Sequence, residues 1–352
     1  MENLTRRGFL GLGASAAMAA ALAGCSKGSG SASSSASPKS SSSVASSTSR
    51  VATSGSALRF VTGGQSGTYY SFGQMLAQHA TNSAGVAITA LTSDGSKANV
   101  ESIEDDLAEL GFCQSDVMAY AYDGTNLFKD MPFESLSTVA ALYDEQVQIV
   151  TCNSEIKTVA DLKGKRVSIG APDSGVYFNA IDILSAYNIG ETDFTPTYQS
   201  FGDSADSLKN EKIDAAFIVA GAPTTAITDL STMKAAYLVA LDDEHVSKLL
   251  QSSPYYVKAT IKAGTYPGQT EDITTVAVSA VILASKKVSN DDVYAFVKDI
   301  FDSAADATTA SMNAKYGELS VDKGASITSV PYHPGAAKFF EEKGFKVATA
   351  SR

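Results

Sequence analysis

Short apolar runs and longer amphipathic ones take turns along most of this chain. Leu58–Val61 is strand-like and 69–81 carries apolar residues at helical spacing. The pair recurs at 86–91 and 97–107, and again at 109–114 and 116–122. This alternation predicts βα units built on mostly parallel sheets.

The same plan then repeats. A strand at 165–170 runs into Ala171-Pro172-Asp173-Ser174-Gly175-Val176-Tyr177-Phe178, as Leu58–Val61 runs into Ser66-Gly67-Thr68-Tyr69-Tyr70. In both, a Ser-Gly turn and a β-branched residue precede two aromatics that open a helix. A second echo matches 106–114 with 211–219. Each is a polar helix end followed by a buried strand, with Phe112 and Phe217 at corresponding places. Two echoes in one order predict two similar lobes. Open α/β sheets bind ligands beyond the carboxyl ends of their strands. Two facing lobes therefore place both Ser-Gly turns on opposite walls of one cleft. The stretch 147–151 is expected to be one hinge strand and 276–283 the return strand, so that the cleft closes by hinge motion on a small ligand.

The ends change the picture. Thr5-Arg6-Arg7-Gly8-Phe9-Leu10 reads as a twin-arginine export signal, and its Ala-rich apolar run is shorter than the ~20 residues a membrane-spanning helix needs. Leu22-Ala23-Gly24-Cys25 reads as a lipobox, with Cys25 acylated as the new N-terminus; the alternative is a plain secretory signal. Residues 26–57 are Ser-, Ala-, Gly- and Thr-rich, a tether and not a domain. The expected organisation is a signal at 1–25, a tether at 26–57, lobe I from 57–148 with 272–352, and lobe II from 149–271. The formal net charge is −11, and removal of residues 1–24 takes it to about −12. Such an acidic chain is a poor partner for nucleic acid or anionic lipid surfaces. The expected location is the outer face of the cytoplasmic membrane, held by lipid alone.

Candidate chemistry is sparse. Cys113 and Cys152 lie in apolar runs and read as buried free thiols, although an exported protein could join them. His79, His245 and His333 have no metal-ligand spacing, so no metal or cofactor is expected. Gly63-Gly64-Gln65-Ser66-Gly67 is neither a dinucleotide fingerprint nor a P-loop, and it does not form a serine-hydrolase elbow. What remains is binding. Amides at a helix start carry partial positive charge, and Ser66, Thr68 and Ser174 add hydroxyls suited to a carboxylate. No arginine lies in a candidate loop; Arg59 reads as structural or solvent-facing. Lys97 reads as either charge at a second helix start or a solvated surface group. Tyr69, Tyr70 and Tyr177 either anchor helices to the sheets or wall the cleft, one of each aromatic pair facing each way. Gln114, Ser115 and Asp116 end a strand where an ammonium group could sit; Asp116 could equally cap a helix.

An ordered series of motifs carries a family resemblance. In the first lobe these are TGGxxGTYY at the first turn, Gly95-Ser96-Lys97-Ala98-Asn99 and Gln114-Ser115-Asp116. Leu142-Tyr143-Asp144-Glu145, Asp161-Leu162-Lys163-Gly164-Lys165-Arg166-Val167 and Gly170-Ala171-Pro172-Asp173-Ser174-Gly175 come next. Lys212-Ile213-Asp214-Ala215-Ala216-Phe217, Ala220-Gly221-Ala222-Pro223, the 255–269 stretch and His333-Pro334-Gly335-Ala336 complete it. From about residue 57 onward the chain resembles the TAXI family, the solute-binding proteins of one class of TRAP transporters.

The resemblance implies a two-lobed type II periplasmic-binding-protein fold of the α/β class, each lobe an open, mostly parallel sheet flanked by helices. It implies a TRAP-type membrane permease as partner, and a glutamate, glutamine or 2-oxoglutarate class of ligand. By similarity, Gly64, Gly67, Thr68, Tyr69, Ser96, Asn99 and Gln114 of lobe I meet the ligand, with Ser174, Gly175, Val176 and Gly221 of lobe II; Ser66 and Tyr177 join them from the reading above. Val176 stands where the family usually has Thr, which removes one donor. The expected protein is a monomeric, lipid-anchored receptor and not an enzyme. A ligand sensor for a signalling partner is the alternative, and an exported enzyme on the same fold is third.

Overall fold

The computed structural model describes residues 57–310 and 313–351. The expected export signal, Cys25 and all of the tether but residue 57 lie outside the described residues. In the first half, β1 (Leu58–Val61), α1 (Thr68–His79), β2 (Ile88–Leu91), α2 (Ser96–Glu104), β3 (Leu110–Gln114) and α3 (Ser115–Asp123) follow in turn. β4 (Leu136–Thr151) leads into the second half, where β5 (Arg166–Ser168), α4 (Val176–Ala186), β6 (Thr195–Thr197), α5 (Phe201–Lys209) and β7 (Ala215–Ala220) repeat the order. Then come α6 (Thr225–Met233), β8 (Tyr237–Val239), α7 (Asp243–Ser252) and β9 (Val257–Ile261). β10 (Ile273–Ser285) returns to the first half, which α8 (Asn290–Ala304), α9 (Ala307–Ala310), α10 (Val321–Gly324) and α11 (Pro334–Glu342) complete.

The strands run in the order β2-β1-β3-β10-β4-β7-β5-β6, with β8 beside β4 and β9 beside β10. β1 pairs in parallel with β2 and β3, and β5 likewise with β6 and β7. The two echoes read from the sequence are therefore one architecture used twice. β4 and β10 are the antiparallel exceptions, and both belong to both halves. β3 and β7 are buried at every position, as expected of strands covered on both faces.

Two hydrophobic clusters built around Phe60, Phe72, Tyr143 and Phe296, and around Val100, Met118 and Val281, cover the first half of the sheet. Two others, around Ile149, Val167 and Phe217 and around Ile218 and Ile227, cover the second. Along β4 the core passes from one set to the other between Tyr143 and Val147; along β10 it does so between Val278 and Ala280. The strand that passes between the halves is thus longer than the expected 147–151, and its crossing lies before that stretch. The register of β10 against β4 is irregular between Ser279 and Val281, at the crossing itself. A bulge there loosens the ladder where two lobes would pivot.

Candidate functional site

A cavity of about 110 Å³ lies between the halves, well below the ~300–1,000 Å³ of drug-sized pockets. Its walls come from the starts of four helices. Gly64, Ser66, Gly67, Thr68 and Tyr69 open α1, and Asp94, Gly95 and Ser96 open α2. From the second half, Ser174, Gly175 and Val176 open α4, and Ser200, Phe201 and Gly202 open α5. Gln114 and Glu145 complete the first-half side. The first N–H groups of each helix have no intrahelical acceptor, and each N-terminus carries roughly half a positive charge. Among the described residues, no Lys, Arg or His lines the cavity; Asp94 and Glu145 are its ionisable carboxyls.

Local sequence explains how the turns reach it. Gly67 N–H donates to Gly64 O at 3.0 Å, tightening the first turn, and a Cβ at Gly67 would press on that oxygen and on Phe201. Gly170 holds φ at +91°, a left-handed conformation, which brings Ser174 and Val176 within 3 Å of where its Cβ would be. Ser200 caps α5 by accepting the Asp203 N–H at 3.2 Å.

Ten of the expected contact residues line this cavity: Gly64, Ser66, Gly67, Thr68, Tyr69, Ser96, Gln114, Ser174, Gly175 and Val176. Three are elsewhere. Asn99 is fully buried and donates to Thr62 O and Phe112 O, both at 2.8 Å, tying β1 to β3. Tyr177 packs edge-on against Phe178, off the cavity wall. Its neighbour Phe178 inserts among Val117, Met118 and Phe128 of the first half. The expectation that one aromatic of each pair faces the cleft therefore fails for the second pair. Gly221 accepts the Thr68 hydroxyl at 2.9 Å and has no room for a Cβ beside Lys315 and Tyr143. It is a contact between lobes.

Hydroxyl chemistry also differs from expectation. Thr68 donates to Gly221 O, and Ser174 donates to Ala171 O at 2.9 Å within its own turn. Ser96 Oγ accepts the Gln114 N–H at 3.1 Å, leaving its own hydrogen available. Val176 is buried in the second-half core and offers the cavity only an apolar face.

The lobes touch across the cleft. Gln114 Nε2 donates to Asn179 Oδ1, and Asn179 Nδ2 donates to Asp116 Oδ2, both at 2.9 Å. Asp116 therefore neither caps a helix nor faces the cavity. Burial pushes its carboxyl up to about 7. Lys97, expected either at the ligand or in solvent, pairs instead with Glu101 and, across the cleft, with Asp173 at 3.0 Å. Ala98 N–H donates to Asp173 O, and Ala226 N–H to Ser66 O. Arg59 pairs with Glu109 on its own half. Cys113 is a buried free thiol and Cys152 a half-buried one. The histidines serve separate local roles: His79 meets Asp299, His245 meets Asp242, and His333 caps α11.

Two parts of the wall escaped sequence reading. Ser200-Phe201-Gly202 opens the helix that corresponds to α2 in the repeat; carrying the echo one unit further, to the Ser200/Asp203 cap, would have found it. Glu145 is a carboxyl in the middle of β4, 2 % exposed, with the Tyr69 hydroxyl donating to Oε2 at 2.6 Å. Burial pushes Glu145 up to about 8.

Among solved structures, PhnD1 from Prochlorococcus marinus (MIT 9301), in complex with methylphosphonate, shares the architecture at 10 % identity. The match covers 75 % of this chain and 90 % of that one, with a TM-score of 0.51. A periplasmic transporter matches over 81 % and 92 % of the two chains at 13 % identity, with a TM-score of 0.50. The fold is the two-lobed α/β fold of periplasmic binding proteins. Residues 60–344 match the NMT1-like family, and the chain belongs to that family.

Proposed function

We propose that this protein is an extracytoplasmic solute receptor that closes its two lobes on a small carboxylate or amino acid and delivers it to a membrane permease. The observation that carries this reading is the convergence of four helix N-termini, two from each lobe, on one small cavity without a basic side chain. Such a wall binds anionic oxygens through amides and hydroxyls. Ligand held by both lobes favours the closed arrangement, and hinge motion at β4 and β10 releases it. No bond is made or broken. The motif series supports a permease of the TRAP type and the glutamate, glutamine and 2-oxoglutarate class. The N-terminal sequence supports export and attachment through acylated Cys25.

A thermal-shift screen tests the reading, because a ligand of the native state alone raises the melting temperature. The panel holds C4–C6 mono- and dicarboxylates, the common amino acids, and methylphosphonate, the ligand of PhnD1. A saturable shift with a carboxylate or amino acid is expected. A shift with methylphosphonate alone would move the ligand class, and loss of the candidate from solution by turnover would make the protein an enzyme.

A further inference from the structure

The cavity has an acceptor side that an anion alone does not use. Glu145 lies where β4 crosses between lobes, and its carboxyl is almost wholly buried. The titratable groups around it are Tyr69 of α1, Cys113 of β3, Asp116 of α3, Tyr143 and Asp144 of its own strand, and Lys315. Lys315 is the cation among them, and it is engaged elsewhere. It pairs with Glu318, donates to Ala222 O at 3.0 Å and lies 5.2 Å from the Tyr143 ring centre.

Gln114 Oε1 is an unmet acceptor among the residues that line the same cavity. The side chain is 2 % exposed and this oxygen has no partner. Its orientation is set by its neighbours: Asn179 Nδ2 donates to Asp116 and to Tyr256, so Asn179 Oδ1 must face Gln114 Nε2. Gln114 Oε1 is left between Gly175 and Ser96 at the cavity. An orphaned amide oxygen calls for a donor, and a buried carboxyl ionises when a cation meets it.

We propose that Glu145, with Gln114 Oε1 at the same cavity, selects ligands that carry an ammonium group, and that the carboxyl releases its proton to solvent as that group arrives. This rests on the cleft being the ligand site. The proton leaves Glu145 for the buffer, the ligand keeps its ammonium hydrogens, and the product is a buried ion pair. The anionic end of the same ligand meets the helix starts, so the cavity is matched to a zwitterion. Burial and the acidic neighbours hold the proton on Glu145 in the empty protein, at about 8, and an ammonium in contact favours the ionised form.

The test pairs each amino acid with its deaminated counterpart: L-glutamate with glutarate, L-glutamine with glutaramate, L-alanine with propionate. Calorimetry at pH 7 in phosphate and in Tris counts protons. The amino acid of the best pair is expected to release about 0.9 proton at pH 7 and to bind about 20-fold tighter at pH 7.5 than at pH 6. The deaminated partner shows neither effect. Glu145→Gln keeps the acceptor for Tyr69 and the volume. It should abolish proton release and weaken the amino acid more than tenfold, leaving the deaminated acid within threefold. Equal affinity within each pair, or proton uptake in place of release, overturns this inference alone. Absence of binding by every probe overturns the cleft reading and this inference with it. The wild-type proton count stands even where the variant misfolds.

Discussion

Gly175→Ala tests whether binding requires the closure seen here. Gly175 has φ −75° and ψ −16°, which alanine adopts without strain, so the second lobe should fold as before. In the closed arrangement, however, the new Cβ falls 1.5 Å from Gln114 Oε1 and 2.6 Å from its Cδ. A carbon and an oxygen approach to about 3.3 Å, so the lobes must part by about 2 Å there or Gln114 must move. Gln114 is held by its hydrogen bond to Asn179 Oδ1 at 2.9 Å, and moving it leaves a buried acceptor unpaired. That costs about 1–3 kcal/mol. If binding needs the closed form, affinity falls by about 5- to 150-fold. Calorimetry with the ligand from the screen measures the loss, and solution scattering shows whether the liganded variant stays wider than wild type. The melting temperature without ligand should change little. Adding Gln114→Ala removes the obstacle together with a proposed ligand contact, so the loss in the double variant should be smaller than the sum of the two single losses, a coupling that a double-mutant cycle isolates. Affinity within threefold of wild type, with the same scattering profile, would refute closure in this geometry.

Three further outcomes follow from the same contacts. Burial pushes the Asp116 carboxyl up to about 7 from its ordinary value of 3.8; the unfolded chain loses this proton first, so the carboxyl's contribution to stability declines from about pH 4 to pH 7 and stays lost above. Asp116→Asn should therefore raise the melting temperature more at pH 8 than at pH 5, by about 2–3 kcal/mol in stability, and a pH-independent shift would contradict this. Lys97→Met removes a half-exposed ion pair across the cleft, worth about 0–1 kcal/mol; binding should weaken up to about fivefold at low salt and not at 0.5 M NaCl, as titration at both strengths would show. Ser66→Ala should weaken binding about three- to tenfold with unchanged melting, whereas Ser96→Ala, which leaves the buried Gln114 N–H unpaired, should also lower stability by about 1–3 kcal/mol, and Ser174→Ala, which breaks the bond to Ala171 O, should lower stability by about 1 kcal/mol; comparing melts and titrations of the three separates the roles.

Much of the architecture was legible because periodicity is a local property. Leu58–Val61 is a strand with the bounds expected, and the helix read at 69–81 is Thr68–His79. The two Ser-Gly turns announced the repeat because a strand that must hand over to a helix within a few residues draws on a short list of turn residues. From the repeat and the rule that ligands lie beyond strand ends, the cavity's first and third helix starts followed without coordinates.

Tertiary structure decided what each polar group does once it arrives. Asn99, Gly221 and Tyr177 occupy the right motifs, yet Asn99 turns into the sheet, Gly221 meets Thr68 across the lobes, and Tyr177 packs beside Phe178. Sequence spacing says which face of an element a residue occupies; it does not say whether that face meets ligand, solvent or the opposite lobe. Glu145 shows the same limit from the other side. In the sequence it is one of two adjacent acidic residues in a long strand, and only the packing of Tyr69 and the engagement of Lys315 elsewhere make it a buried carboxyl in the wall of the cavity, pushed up to about 8. A carboxyl's charge is set by what surrounds it in three dimensions, and those neighbours come from segments up to 170 residues apart in the chain.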